Sequence, residues 1–159
     1  MSSNGGGNLR IDIRAGRNEF LVSRGFVSFE LSSLPQGVQV QEATLRLYQT
    51  KVEGNPYGNL GSLKVDHLNF GDSLEDADYA TPAILSSFAT VSSKALIEWK
   101  DMNVTREVKD DLSVGRSRSE FRIHFTTEVT GATSDFAYFE SAENTEGTGN
   151  TPQLVVKYY

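Results

Sequence analysis

The residues best suited to chemistry in this chain are two histidines, a row of strand-borne arginines and tyrosines, and one dense acidic loop. His67 and His124 each stand alone on a strand-like run, with no serine elbow G-x-S-x-G and no H-E-x-x-H pair beside them. There is no cysteine, which excludes disulfides, thiol nucleophiles and Cys-ligated zinc. Glu75, Asp76 and Asp78 are carboxylates of the type a glycosidase pairs. They crowd into one polar turn, however, so catalysis is not expected. The same loop, FGDSLEDADY, offers Asp72, Glu75, Asp76 and Asp78 as hard oxygen ligands for a structural calcium ion, without EF-hand spacing.

A binding surface is the stronger reading. In the run Ala43 to Gln49, Leu45 and Leu47 alternate inward, which sends Arg46 and Tyr48 outward. Phe121, Ile123 and Phe125 alternate inward likewise and send Arg122 and His124 outward. If those strands adjoin, Arg46, Tyr48, Arg122 and His124 form a face that suits saccharides. Flat rings stack on sugar C–H faces, and Arg or His donates to hydroxyls or uronate carboxylates. Tyr57, in the turn-rich NPYGN, is expected to add an exposed aromatic ring. Trp99, flanked by Leu96, Ile97 and Met102, is expected in the core.

The elements that must carry these residues are strands. Val27, Phe29 and Leu31 alternate on one side of a Pro-Gly break, and Ala43, Leu45 and Leu47 on the other, the pattern of two antiparallel strands with one dry face each. Further runs at Leu9–Ile13, Leu63–Leu68, Leu96–Met102, Phe121–Thr127, Phe136–Glu140 and Leu154–Tyr158 bring the count to about eight. Turn residues at 35–37, 53–61, 130–135 and 143–152 separate most of them. Two short helices are expected. One starts at Thr81-Pro82 and carries Ile84, Leu85 and Phe88. The other bears Val104, Val108 and Leu112 on one stripe, capped by Asn103 or Thr105 and ended by Gly115. Asn103-Val104-Thr105 also matches a glycosylation sequon, but the helix cap is its expected role. The fold class is therefore all-β, an antiparallel β-sandwich of jelly-roll type with two short helices.

At 159 residues the chain fits one domain, read as a flexible Gly-rich arm over 1–8 and a sandwich over 9–159. A net charge of -6 argues against non-specific nucleic-acid binding, which needs a basic footprint. No apolar run is long enough for a membrane span. The opening MSSNGGGN has neither the basic nor the apolar region of a signal peptide.

The segment Phe29-Glu30-Leu31-Ser32-Ser33-Leu34-Pro35 followed by Ala43-Thr44-Leu45-Arg46-Leu47-Tyr48 resembles the signature of DNRLRE-type domains, with Glu30 in place of the usual Asp. Trp99, then Asn103-Val104-Thr105 and Val108, and the closing TPQLVVKYY are similar to that family as well. The resemblance runs from about Arg24 to Tyr158. It implies a jelly-roll sandwich of extracellular or cell-surface proteins, some members being non-catalytic carbohydrate-binding modules. The expected partner is then a polysaccharide, uronate-containing chains included. The alternative is a structural subunit of a fibre, sheath or virion surface that binds copies of itself. In that case the Gly-rich arm and LRIDI would add to a neighbour's open sheet edge by strand exchange.

Overall fold

A computed structural model describes residues 1–7, 9–143 and 147–159. Asn8 of the Gly-rich stretch and residues 144–146 of the turn at 143–152 lie outside the described residues. The strands are β1 (Ser2–Ser3), β2 (Leu9–Arg10), β3 (Ile13–Arg17), β4 (Val22–Glu30), β5 (Val40–Glu53), β6 (Leu63–Leu68), β7 (Leu85–Ser92), β8 (Trp99–Asn103), β9 (Arg118–Phe125), β10 (Asp135–Phe139) and β11 (Gln153–Tyr158). The helices are α1 (Pro56–Asn59) and α2 (Thr105–Ser113), with a 3-10 turn over Asp76–Ala80.

Hydrogen bonding runs in the order β11-β5-β10-β3-β4-β9-β6-β7, with β8 on the other side of β5, β1 on β4 and β2 on β1. Every strand pairing is antiparallel. The result is the expected all-β sandwich with two short helices, nearly closed into a barrel. Its core is built from the alternation that was legible in the chain. Ala43, Leu45 and Leu47 on β5 and Phe121, Ile123 and Phe125 on β9 are buried against Val65, Val108 and Phe139. Phe26, facing the other way on β4, starts a second small cluster with Leu68 and Leu74.

Tertiary pairing decides several boundaries. β5 is longer than its apolar alternation because its second half pairs with β10 across a bulge at Thr50. The expected helix after Thr81-Pro82 is not formed. Thr81 closes the 3-10 turn by donating its N–H to the Asp78 carbonyl. The chain then enters β7, just before which the Ile84 N–H donates to His67 O at 2.7 Å. A free sheet edge on β6 outcompetes a short, weakly patterned helix. The first helix is instead α1 in NPYGN, capped by the Asn55 side chain, which accepts from Gly58 N. α2 forms where expected, with Val104 and not Asn103 or Thr105 at its N-cap. Asn103 Oδ1 accepts the Thr105 N–H at 3.0 Å, and Gly115 follows the helix at φ +75°. Thr105 Oγ1 also accepts the Ala43 N–H at 2.9 Å, which ties α2 to β5.

The segments that the strand-exchange reading requires pair within this chain. β1 lies on β4, with Ser2 opposite Gly25, and the Phe26 N–H donates to Met1 O at 2.8 Å. β2 returns on β1, and β3 sits between β4 and β10. Gly16 on β3 has φ +143°, and a Cβ there would lie 1.9 Å from Asp135 O, so the backbones of β3 and β10 approach as only glycine allows.

Candidate binding surface

The sequence-predicted face divides between the two sides of the sandwich. Arg46 and Tyr48 are on β5, which pairs with β8, β10 and β11. Arg122 and His124 are on β9, which pairs with β4 and β6. Both pairs do point away from the core, as the period of two requires. The strands simply do not adjoin.

Arg122 and His124 lie under cover, which removes them from an open face. The Arg122 side chain is 7% exposed. Its Nε donates to Asp66 Oδ2 at 2.9 Å, and one Nη donates to Thr81 O at 2.6 Å and Tyr79 O at 3.3 Å. Arg24 from β4 reaches the same segment. It donates to Tyr79 O at 2.6 Å, lies 4.4 Å over the Tyr79 ring and pairs with Glu128 at 2.8 Å. The two guanidiniums thus staple the 3-10 turn onto the sheet. Asp66 is the hub. Its Oδ1 accepts from the Ser87 N–H at 2.8 Å and faces His124 Nε2 at 3.0 Å. Burial opposes its charge, but the hydrogen bonds from His124, Ser87 and Arg122 outweigh it and hold the carboxyl at about 2. Burial also disfavours the His124 cation. Its Nε2 faces Asp66 and its Nδ1 faces Phe125 O at 2.9 Å, two acceptors that an imidazolium satisfies together, so the pKa is raised.

Tyr57 is not the exposed ring expected of it. Its hydroxyl donates to Gln49 Oε1 at 2.5 Å and its ring meets Phe125 edge-on at 5.3 Å. Gln49 is fully buried and spends its amide on Leu96 O and Lys94 O. Burial pushes the Tyr57 phenol up to about 12.

Within the acidic loop, Glu75 and Asp78 cap the 3-10 turn, while Asp76 and Asp72 meet other segments. Asp78 accepts from the Glu75 N–H at 2.7 Å, with Glu75 as cap of the 3-10 turn. Asp76 accepts from the Gly7 N–H at 2.7 Å, and Asp72 is 3.3 Å from Arg118 Nε. Among the described residues, the one group of three metal-type side chains with mutually close ligand atoms is elsewhere: His67, Asp110 and Asp111. Arg116 bonds both aspartates there, at 2.8 and 2.9 Å. Ser119 also donates to Asp111, and His67 Nε2 lies 2.9 Å from it. His67 and Asp111 of this set are buried and Asp110 is exposed; together they clamp α2 to β6 and β9.

What stays open is the outer face of β8, β5 and β11. Trp99 is not in the core. On β8, Lys100 and Met102 point inward, so Trp99 and Asp101 point out. Trp99 stands opposite Tyr48, and Asp101 and Gln153 stand opposite Arg46 on either side. The Tyr48 and Trp99 rings meet edge-on at 5.4 Å. The Arg46 guanidinium lies 4.4 Å over the Trp99 ring, held by Asp101 at 2.9 Å and Gln153 at 3.2 Å. A guanidinium carries five N–H donors and these contacts use two, so Arg46 retains donors for a ligand. The signal for Trp99 was its alternation with Met102. The apolar neighbours Leu96 and Ile97 hid it, and both are themselves exposed.

Residues 2–158 match the model of carbohydrate-binding module family 96. The chain belongs to that family, whose members are non-catalytic modules. No curated protein matches it. Among the described residues, no helix is long and apolar enough to cross a membrane.

Proposed function

We propose that this member of carbohydrate-binding module family 96 holds a polysaccharide, in an extracellular or cell-surface setting, on the outer face of β8, β5 and β11. Trp99 and Tyr48 supply stacking surface and Arg46 supplies hydrogen-bond donors. The observation that carries this reading is the outward-facing, half-buried Arg46–Trp99–Tyr48 group, a pre-ordered aromatic pair with a polar donor over a ring face. It is ordered before any ligand arrives, so binding pays little side-chain entropy. Arg46 is matched by Asp101, and Lys157 by Glu42, which leaves the platform with little net charge. Stacking therefore leads and charge follows, and neutral and uronate-containing chains both fall within its reach.

Trp99 is the only tryptophan in the chain, so its emission reports on the platform alone. Titration with neutral and uronate-containing polysaccharides is expected to shift or quench that emission saturably. If every polysaccharide that retards the protein in affinity electrophoresis leaves the emission unchanged, the ligand sits elsewhere and this placement is wrong.

A further inference from the structure

The outward row of β5 does not stop at Tyr48. Past the bulge at Thr50 it continues through Lys51 to Glu53, where Tyr138 of β10 stands opposite Lys51. A bulge puts two consecutive side chains on one face, and here it keeps Lys51 outward while Gln49 stays in the core. The Lys51 ammonium lies 4.4 Å from the Tyr138 ring centroid, and the Tyr138 hydroxyl donates to Glu53 Oε2 at 3.0 Å. Beside Tyr138 on the same face of β10, Phe136 is 6.0 Å away and buried, with the Arg14 guanidinium 4.4 Å over its ring. The Tyr138 ring is thus flanked by Phe136 and Lys51 and held at its hydroxyl by Glu53, much as Trp99 is flanked by Tyr48 and Arg46.

We infer that Tyr138 and Lys51 form a second saccharide station on the same face, so that the module takes an internal stretch of an extended glycan chain laid along β5. The inference rests on the platform proposed above. Arg46 and Lys51 are five residues apart on one strand, about 15 Å, and Tyr48, at the near end of the platform, is three residues from Lys51, about 10 Å. A ligand that engages Arg46 and Lys51 together must be longer than a disaccharide. Each station pairs a flat ring with a cation, the same chemistry for the same kind of ligand: a ring face for sugar C–H groups and an N–H donor for hydroxyls. Isolated cross-strand pairing would account for each ring contact alone. It gives no reason for a ligand to sense both, and that difference is measurable.

The test uses di-, tetra- and hexasaccharides of a β-1,4-glucan, a β-1,4-mannan and a β-1,4-uronate, titrated into wild type, Tyr138→Leu, Lys51→Ala and Trp99→Ala. Tyr138→Leu keeps apolar bulk beside Phe136, and Lys51 is exposed, so at least one of the pair remains folded. For the series that binds, Tyr138→Leu and Lys51→Ala are expected to weaken the hexasaccharide by up to about tenfold, the effect of one lost ring contact, and to leave the disaccharide unchanged. Trp99→Ala is expected to weaken all three lengths. If Trp99→Ala weakens binding while the Tyr138 and Lys51 variants behave as wild type with the hexasaccharide, the second station is refuted and the platform stands. If the Tyr138 and Lys51 variants weaken every length equally, an extended site in two stations is likewise refuted. If Trp99→Ala changes nothing, or no series binds, the platform fails and the second station with it.

Discussion

Replacing Arg122 by alanine separates the two faces that the alternation pattern made look alike. The side chain is almost fully buried and pairs with Asp66 through Nε at 2.9 Å and Nη2 at 2.8 Å. It also caps the carbonyls of Thr81 and Tyr79. Removing one member of a buried ion pair typically costs about 3–5 kcal/mol, because the other charge is stranded. Here Asp66 keeps His124 and the Ser87 amide, and Arg24 still holds Tyr79 O. The expected loss is therefore at the lower end, about 3 kcal/mol. A domain with a typical stability of about 5–15 kcal/mol remains folded at 25 °C after such a loss. Urea unfolding should show the midpoint fall with an unchanged m-value. Affinity electrophoresis of the folded variant should show wild-type retardation. A cost below about 1 kcal/mol would mean that the staple is not a staple. Lost retardation in a variant that is fully folded would put Arg122 in the binding site and refute the division of the faces.

Three further outcomes follow from the same contacts. Asp66 is held low, so its contribution is present above its ordinary value of 3.8 and fades as pH falls through about 2. His124 is held high, so its contribution is present below 6.5 and fades as pH rises through its folded value. Stability measured by urea should thus be greatest between those ordinary values, and Asp66→Asn should flatten the acid limb by about 1–2 kcal/mol after solvent screening. Gly16→Ala should lower the thermal midpoint sharply, at a cost of about 3 kcal/mol or more, since its Cβ meets Asp135 O at 1.9 Å and its φ is +143°. A midpoint within a degree of wild type would contradict that packing. Tyr57→Phe should cost about 1 kcal/mol for the lost Gln49 bond and leave glycan retardation intact. Weakened retardation would return Tyr57 to the surface role its turn-rich context suggests.

The parts of the fold that a period of two can express were legible. Leu45 and Leu47 inward, and Arg46 and Tyr48 outward, follow from local alternation and need no partner strand. The same rule correctly turned Arg122 and His124 away from the core. It could not say that the segment after β6 folds back over them, because a cover is set by long-range contacts such as Arg122 to Thr81 O. Strand adjacency was equally hidden, so two faces were read as one. For Trp99, the flanking Leu96 and Ile97 imply burial by composition, whereas its partner Tyr48 on β5 decides its direction. Tyr57 differs in the opposite sense. A loop rich in turn residues became α1, and its tyrosine turned in to satisfy the buried Gln49. β7 went unseen because its serines and threonine alternate weakly and two register shifts interrupt its pairing with β6.

The central claim is that glycan binds across Trp99 and Tyr48 beside Arg46. Its most direct test is affinity electrophoresis of Trp99→Ala beside wild type in gels containing the retarding polysaccharide, with cooperative unfolding checked on the same samples. Retardation lost from a folded Trp99→Ala protein is the predicted result. Undiminished retardation would contradict the account and move the binding site to another face of the sandwich.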